Sequence, residues 1–197
     1  MPCKGFQFDN VYADLFDSAT WYNKGKKTEG VNLSTVASNV AKDLYPQCPR
    51  LYNELINRAK PSGAAVSARK KLMVKMVEEY FEKDLAIVGT PPEMAMYKSC
   101  LQNLNLHTAN SEGDFDFVMP TIEPRLKGAQ KKQQQKVYEL WNDAISHVKK
   151  RSVDGVVPLS DIVDLWSAEP YGLTSGLIPI WTLSLVLAQR DNLAFYD

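Results

Sequence analysis

The sequence predicts a mostly α protein with a few short strands, arranged as two winged-helix-like units. Apolar residues recur at three- and four-residue spacing through most of the chain, which is the pattern of helices with one buried face. Two runs of such helices are each followed by a short apolar segment typical of a strand. The order of helices followed by a strand is that of a winged-helix unit. We therefore divide the chain into an aromatic-rich N-terminal segment (1–32), a first winged-helix-like unit (33–108) and a second (109–197).

The first unit begins with a predicted helix at "LSTVASNVAKDLY" (33–45), with Ser34 as a candidate N-cap. After the break at "PQCP" comes "RLYNELINR", and "KPSG" then separates it from "GAAVSARKKLMVKMVEEYFEK". The third helix carries one apolar stripe, and Ser62 is placed to cap it. "LAIVG" (85–89) is predicted to be a strand, and "TPPEMAMYKSCLQNL" a helix with prolines in its first turn.

The second unit is predicted to open with a strand at "FDFVMP" and a long helix at 129–151. A further helix lies at "PLSDIVDLWSAEPYG". The last helix, in "TSGLIPIWTLSLVLAQRDN", is apolar nearly all round and should therefore be buried. "LAFYD" (193–197) resembles a strand without a partner, which suggests a fragment of a larger protein.

Composition limits the classes of protein to which the chain can belong. Its 197 residues contain 23 Lys and Arg and 23 Asp and Glu, so the net charge is zero. That balance argues against a protein that coats nucleic acid through excess positive charge. No apolar stretch is long enough to span a membrane, and the N-terminus has no apolar core of a signal peptide. The widely spaced Cys3, Cys48 and Cys100 predict free thiols in a reducing cytoplasm.

The motifs of common enzymes are missing from the sequence. There is no G-x-x-x-x-G-K-[ST] phosphate loop, no G-x-G-x-x-G and no G-x-S-x-G. His107 and His147 are forty positions apart, and no Cys/His cluster or EF-hand spacing indicates a metal site. We expect no catalytic residue, metal or cofactor in this chain, which leaves open whether a parent protein is an ATPase.

A basic cluster around the break at "KPSG" is the candidate functional site. Its members, within 18 residues of each other, are Arg58, Lys60, Arg69, Lys70, Lys71 and Lys75. In a helix-turn-helix, the start of the second helix approaches DNA bases. Here that start is "SGAAVSA", small and uncharged, so contact with phosphate fits better than reading of bases. The competing interpretation is a solvated helix face balanced by nearby glutamates, which is the commoner outcome for one such cluster.

Two other polar groups have simpler interpretations. Asn53, Glu54, Asn57 and Arg58 are predicted to organise the corner through helix-end hydrogen bonds. A second basic run is predicted to be a solvated face of the long helix. It comprises Lys127, Lys131, Lys132, Lys136, Lys149, Lys150 and Arg151.

Two segments resemble parts of large bacterial P-loop ATPases of phage-defence systems, the BREX-type ATPase and its relatives. The first is "LYPQCPRLYNELINRAKPSGAAVSARKKLMVKM", with Tyr45, Pro49, the run from Asn53 to Arg58 and the run from Ala68 to Leu72. The second is "LWSAEPYGLTSGLIPIWTLSLVLAQRDNLAFYD", with Pro170-Tyr171-Gly172-Leu173 at its centre. The resemblance implies a helical, winged-helix-like region downstream of an ATPase core. It supplies no catalytic residues here.

These observations predict a non-catalytic DNA-binding or assembly module of bacterial antiviral defence, in the cytoplasm. Double-stranded DNA is the expected partner, with the ATPase core or another defence-system subunit as a further one and no membrane. The alternative is a protein-interaction module that docks a partner without touching nucleic acid. In that alternative, an exposed aromatic surface around Trp166, Tyr171 and Trp181 would form the contact.

Overall fold

A computed structural model describes residues 21–23, 25–28, 33–58 and 60–194, and it confirms a mostly α protein. The described residues form seven α-helices and two hairpins. The helices are α1 Leu33–Leu44, α2 Glu54–Asn57, α3 Gly63–Glu78, α4 Pro92–Cys100, α5 Gly128–Arg151, α6 Leu159–Ser167 and α7 Ile178–Ala188. The strands are β1 Trp21–Asn23, β2 Lys26–Thr28, β3 His107–Ala109 and β4 Phe115–Phe117.

Each hairpin is a separate two-stranded antiparallel sheet. β1 pairs with β2, and β3 pairs with β4 in a register that sets His107 opposite Phe117. The strand predicted at "FDFVMP" is therefore confirmed over Phe115–Phe117. The strand predicted at 193–197 falls largely outside the described residues.

The strand predicted at 85–89 is wrong. Lys83–Ala86 forms a 3₁₀ turn, and residues 84 to 86 have positive φ values of 53°, 54° and 50°. A strand requires extended backbone, so this left-handed run is incompatible with it. Leu85 is buried, whereas Val88 is 90% exposed. Within the apolar run, Leu85 is buried in the core and Ile87 packs partly against it, while Val88 lies in solvent.

The core is built around α7, which packs against α3, α6 and β4. Trp141, Trp166 and Trp181 lie at its centre, with ring centroids 6.3 to 6.4 Å apart. The indole N–H of Trp181 donates to the Cys100 carbonyl at 2.9 Å, and that of Trp166 donates to the Leu140 carbonyl at 3.2 Å. Hydrogen bonding at these N–H groups lets indole rings be buried without cost from an unpaired donor.

Residues of both predicted units belong to one continuous hydrophobic core, from Cys48 to Leu185. The Thr174 hydroxyl donates to the Ile56 carbonyl at 3.0 Å, which joins segments of the two predicted units. The boundary placed between residues 108 and 109 falls inside β3. The division into two units stays a prediction.

The cysteines differ in state. Cys48 is disulfide-bonded, so the prediction of a free thiol there is wrong. Cys100 is a buried free thiol, as predicted, and burial raises its pKa to about 12. Within the described ranges, the helices are too short or too polar to cross a membrane.

Candidate nucleic-acid interface

Of the four residues predicted to organise the corner between α2 and α3, Asn53 acts as a helix cap. The Asn53 carboxamide oxygen accepts from the Leu55 N–H at 2.9 Å, and its amide donates to the Ser99 hydroxyl at 2.7 Å. The Asn57 amide donates to the Leu51 carbonyl at 2.8 Å. At the start of α3, the Ser62 hydroxyl accepts from the Ala65 N–H at 3.2 Å. The bonds to the Leu55 and Ala65 N–H groups satisfy donors that the starts of α2 and α3 leave unpaired.

Helix α3 presents one apolar stripe to the core and leaves the opposite face in solvent. The stripe consists of Ala65, Ala68, Leu72 and Met76, all buried. Because successive helical residues turn by about 100°, Arg69 and Lys75 lie on opposite flanks of this stripe. Lys70 and Lys71 lie farther round and are exposed.

Three of the six predicted site residues have partners within the protein. Arg58 forms an exposed ion pair with Glu54 at 3.2 Å, and Lys75 is paired with Glu79 at 3.3 Å. The Arg69 guanidinium is half-buried and donates to the Ser175 carbonyl at 3.1 Å. Arg69 therefore links α3 to the segment before α7, and its main role is structural.

Lys60, Lys70 and Lys71 differ from those three. All are exposed, and none forms a hydrogen bond or ion pair with another residue in the part of the chain that the structure describes. Their ammonium groups are free for an external anion. Three of the six predicted residues are therefore bonded within the protein, and the other three can bind an external anion.

The outer face of α3 also exposes large apolar side chains, a feature that sequence reasoning missed. Val74 is 51% exposed, Val77 is 53% exposed, and Phe81, in the turn after the helix, is 53% exposed. The three-residue spacing of Val74 and Val77 matches one helix face and was visible in the sequence. This second apolar face was overlooked because the buried stripe of the same helix has a similar spacing, and only one of the two was assigned.

The aromatic residues of the predicted protein-docking surface are not exposed. Trp166 and Trp181 are fully buried, and Tyr171 is 4% exposed. The Tyr171 hydroxyl forms a short hydrogen bond with the Asp143 carboxylate, and burial together with this carboxylate raises the pKa of Tyr171. These residues build the core and do not form a surface patch.

His107 is enclosed in a buried hydrogen-bond chain. Its Nε2 lies 2.7 Å from the Tyr80 carbonyl, which only accepts, so Nε2 carries the proton. Nδ1 then accepts from the Tyr97 hydroxyl at 2.9 Å. Burial lowers the pKa of His107, although the Tyr80 carbonyl and two aspartates act in the opposite direction.

Beside this chain, the Arg190 guanidinium donates two hydrogen bonds to the Asp116 carboxylate, at 2.7 and 2.6 Å, and stacks over the Tyr80 ring. The hydrogen bonds from Arg190 hold the pKa of Asp116 below its usual range. These contacts join β3 and β4 to α4 through Tyr97, to the turn after α3 through Tyr80, and to the segment after α7 through Arg190. Within the described ranges, no group of three or more His, Cys, Asp or Glu side chains is arranged to hold a metal ion.

Comparison of the chain with protein-family models, with curated proteins and with solved structures finds no match.

Proposed function

We propose that this chain is a non-catalytic DNA-binding module that contacts the phosphate backbone through Lys60, Lys70 and Lys71. One observation carries the proposal: these three cations are exposed and unpaired in the described part of the chain, with Lys70 and Lys71 on α3 and Lys60 in the loop just before it. Contacts to phosphate position a protein on DNA without reading its bases, which fits the small, uncharged start of α3. The resemblance to phage-defence ATPases supports a place beside an ATPase core in the cytoplasm.

The proposal keeps two winged-helix-like units. In the first, α3 and α4 are followed by β3, which pairs across the predicted boundary with β4; this hairpin has the place of a wing. Phosphate contact would then come mainly from the outer face of α3, because the outward side of the short α4 offers few cations. The second unit is structural, since α7 is buried in the core.

The test is a titration of labelled duplex DNA over a salt series. The Lys60→Ala/Lys70→Ala/Lys71→Ala variant is compared with the native chain and with Lys149→Ala/Lys150→Ala, a control at exposed lysines of α5. Affinity falls as salt rises, so the slope of log affinity against log salt is negative, and each lost phosphate contact should make it less steep by about one. We expect the slope of the α3 variant to be less steep by about three and that of the control to be unchanged.

Two results would contradict this function. If the native chain does not bind duplex DNA at low salt, the chain is not a DNA-binding module. If the α3 variant and the control bind alike, the phosphate contact lies elsewhere. Arg69→Ala is left out of the α3 variant because its bond to the Ser175 carbonyl supports the fold.

A second candidate function is assembly with a second copy of the chain through the outer face of α3. The exposed Val74 and Val77 on this face, with the exposed Phe81 in the turn after it, favour it. Lys71 and Glu78 are seven residues apart, on the same flank of this face, and both are exposed. When two such helices pair antiparallel about a two-fold axis, Lys71 of each copy meets Glu78 of the other.

Charge exchange tests assembly independently of DNA. Sedimentation velocity over a concentration series should show weaker self-association for Lys71→Glu, where like charges meet. The Lys71→Glu/Glu78→Lys variant should restore it, because both pairs are reversed together. A native chain that stays monomeric at all concentrations, or a double variant no better than the single one, would contradict assembly through α3.

A further inference from the structure

A second group of cations is gathered where the loop before α2 meets the first half of α5. The Gln133 side chain forms two hydrogen bonds with the backbone of Arg50. Its carbonyl oxygen accepts from the Arg50 N–H at 2.9 Å, and its amide donates to the Arg50 carbonyl at 2.8 Å. Two opposed hydrogen bonds fix both the position and the direction of the chain at residue 50, and they leave the Arg50 side chain exposed.

The same loop is held again one turn further along α5. The Lys136 ammonium donates to the Cys48 carbonyl at 3.3 Å. Lys136 is thereby half-buried beside the loop, and its pKa is lowered by burial and by the positive charge of Arg50. Lys132 lies four residues before Lys136, so the two lysines are neighbours on one side of α5.

These three like charges lack a counter-charge among the described residues. No carboxylate lies within ion-pair distance of Arg50, Lys132 or Lys136 there. Glu139, one turn beyond Lys136, accepts a hydrogen bond from Gln135 at 2.6 Å. Holding cations together without an anion costs free energy, and a bound anion of high charge would remove that cost.

We propose that Arg50, Lys132 and Lys136 form a binding site for phosphate groups. Arginine offers a planar fork of N–H donors that matches two phosphate oxygens, and the lysines add mobile point charges. Lys136 uses one of its three donors on the Cys48 carbonyl, so the others are available. The phosphate groups belong to the backbone of a nucleic acid or to a small polyphosphate ligand. The site uses none of the residues of α3.

Inorganic tripolyphosphate is the first probe. Lysines are modified with an amine-reactive reagent and located by mass spectrometry, at constant ionic strength set with sodium chloride. We expect tripolyphosphate to protect Lys132 and Lys136 at concentrations that leave Lys149 and Lys150 of the same helix reactive. Equal protection of all four lysines would overturn the proposal, because it would reflect general screening.

The Arg50→Gln variant tests whether the site is built from both segments. Gln133 holds the backbone of residue 50 and not its side chain, so the loop should stay in place. Loss of one charge-assisted contact should raise the tripolyphosphate concentration for half-protection of Lys136 about tenfold. Unchanged protection in Arg50→Gln would overturn the proposal.

Duplex DNA in place of tripolyphosphate identifies the source of the phosphate. Protection of Lys132 and Lys136 by the duplex at lower total phosphate supports the site with nucleic acid as its ligand. Protection by tripolyphosphate alone supports it with a small ligand, and protection by neither overturns it. The Lys60→Ala/Lys70→Ala/Lys71→Ala variant should keep the tripolyphosphate protection, so failure of DNA binding at α3 is distinguishable from failure of this site.

Discussion

Helices α3 and α7 occupy the same place in the two predicted units, yet their surroundings differ. α3 buries a single stripe and turns Lys70, Lys71 and two valines to solvent. α7 is enclosed on most sides, and its buried residues are Ile178, Ile180, Trp181, Thr182, Ser184 and Leu185. Position along the chain therefore does not decide which helix has a face available to a partner. The width of the apolar surface decides it, because a helix that is apolar all round has no face left for a ligand.

The comparison predicts opposite consequences of substitution in the two helices. Changes in α7 should act on the free energy of unfolding, and changes on the outer face of α3 should act on binding. Arg69 connects the two helices through its bond to the Ser175 carbonyl, just before α7.

Trp181→Ala should have the largest effect, about 3–5 kcal/mol lost from the free energy of unfolding. The indole is fully buried between two other tryptophans, and its N–H is satisfied by the Cys100 carbonyl. Denaturant unfolding followed by circular dichroism measures the loss. Tyr52→Ala is the matched control, because Tyr52 is 84% exposed and should change stability by less than about 0.5 kcal/mol. Equal losses in the two variants would mean that α7 is not the centre of the core.

Gly176→Ala should cost less, about 1–3 kcal/mol, as overpacking does. A Cβ at this position would lie 2.3 Å from the Ile56 carbonyl oxygen, and backbone atoms cannot move aside as a flexible side chain does. Gly63→Ala is the control, because a Cβ there meets nothing within 4 Å and alanine favours the helix. Thermal unfolding should show a lower midpoint for the first variant and an unchanged or higher one for the second. A Gly176→Ala chain as stable as the native one would mean that Gly176 does not pack tightly against the Ile56 backbone.

The unfolding free energy should also fall as the pH drops below about 6.5, the ordinary pKa of histidine. His107 has a lowered pKa in the folded protein. Below about pH 6.5, the unfolded chain therefore binds more protons at this residue than the folded chain does. Stability from this group is therefore complete above the unfolded pKa and declines below it. Unfolding at pH 7.5, 6.5 and 5.5 measures the slope, and His107→Gln should flatten it. An equal slope in that variant would assign the pH dependence to other groups.

The sequence predicted the helices well where periodicity and caps coincide. Ser62 caps α3 and Asn53 caps α2, both through bonds of the kind that their residue types predict. The burial of the apolar last helix also followed from its composition. At 85–89 the apolar run of a strand was overridden, because Leu85 is held in the core while the backbone around it turns left-handed.

The candidate site was harder to predict, because it depends on contacts between distant segments. The partner of Arg69 lies 106 positions further along the chain. The backbone of Arg50 is hydrogen-bonded by Gln133, 83 positions further on. The polar run "QQQ" resembles a solvated stretch, yet Gln133 and Gln134 both accept from backbone N–H groups of other segments. Periodicity within one helix carries no signal for such contacts, and only the tertiary structure reveals which cations are already engaged.

The smallest effect on stability is expected at the exposed lysines of α3. Lys70→Ala/Lys71→Ala should leave the unfolding free energy within about 0.5 kcal/mol of the native value, because both side chains are exposed and alanine is a good helix former. Arg69→Ala should lower it further, since the Ser175 carbonyl then loses a charged donor. Denaturant unfolding of the two variants side by side measures the difference. If the lysine variant is the less stable of the two, Lys70 and Lys71 hold the fold together and are not free for phosphate. If Arg69→Ala alone is destabilised, α3 carries both a structural flank and a face available to a ligand.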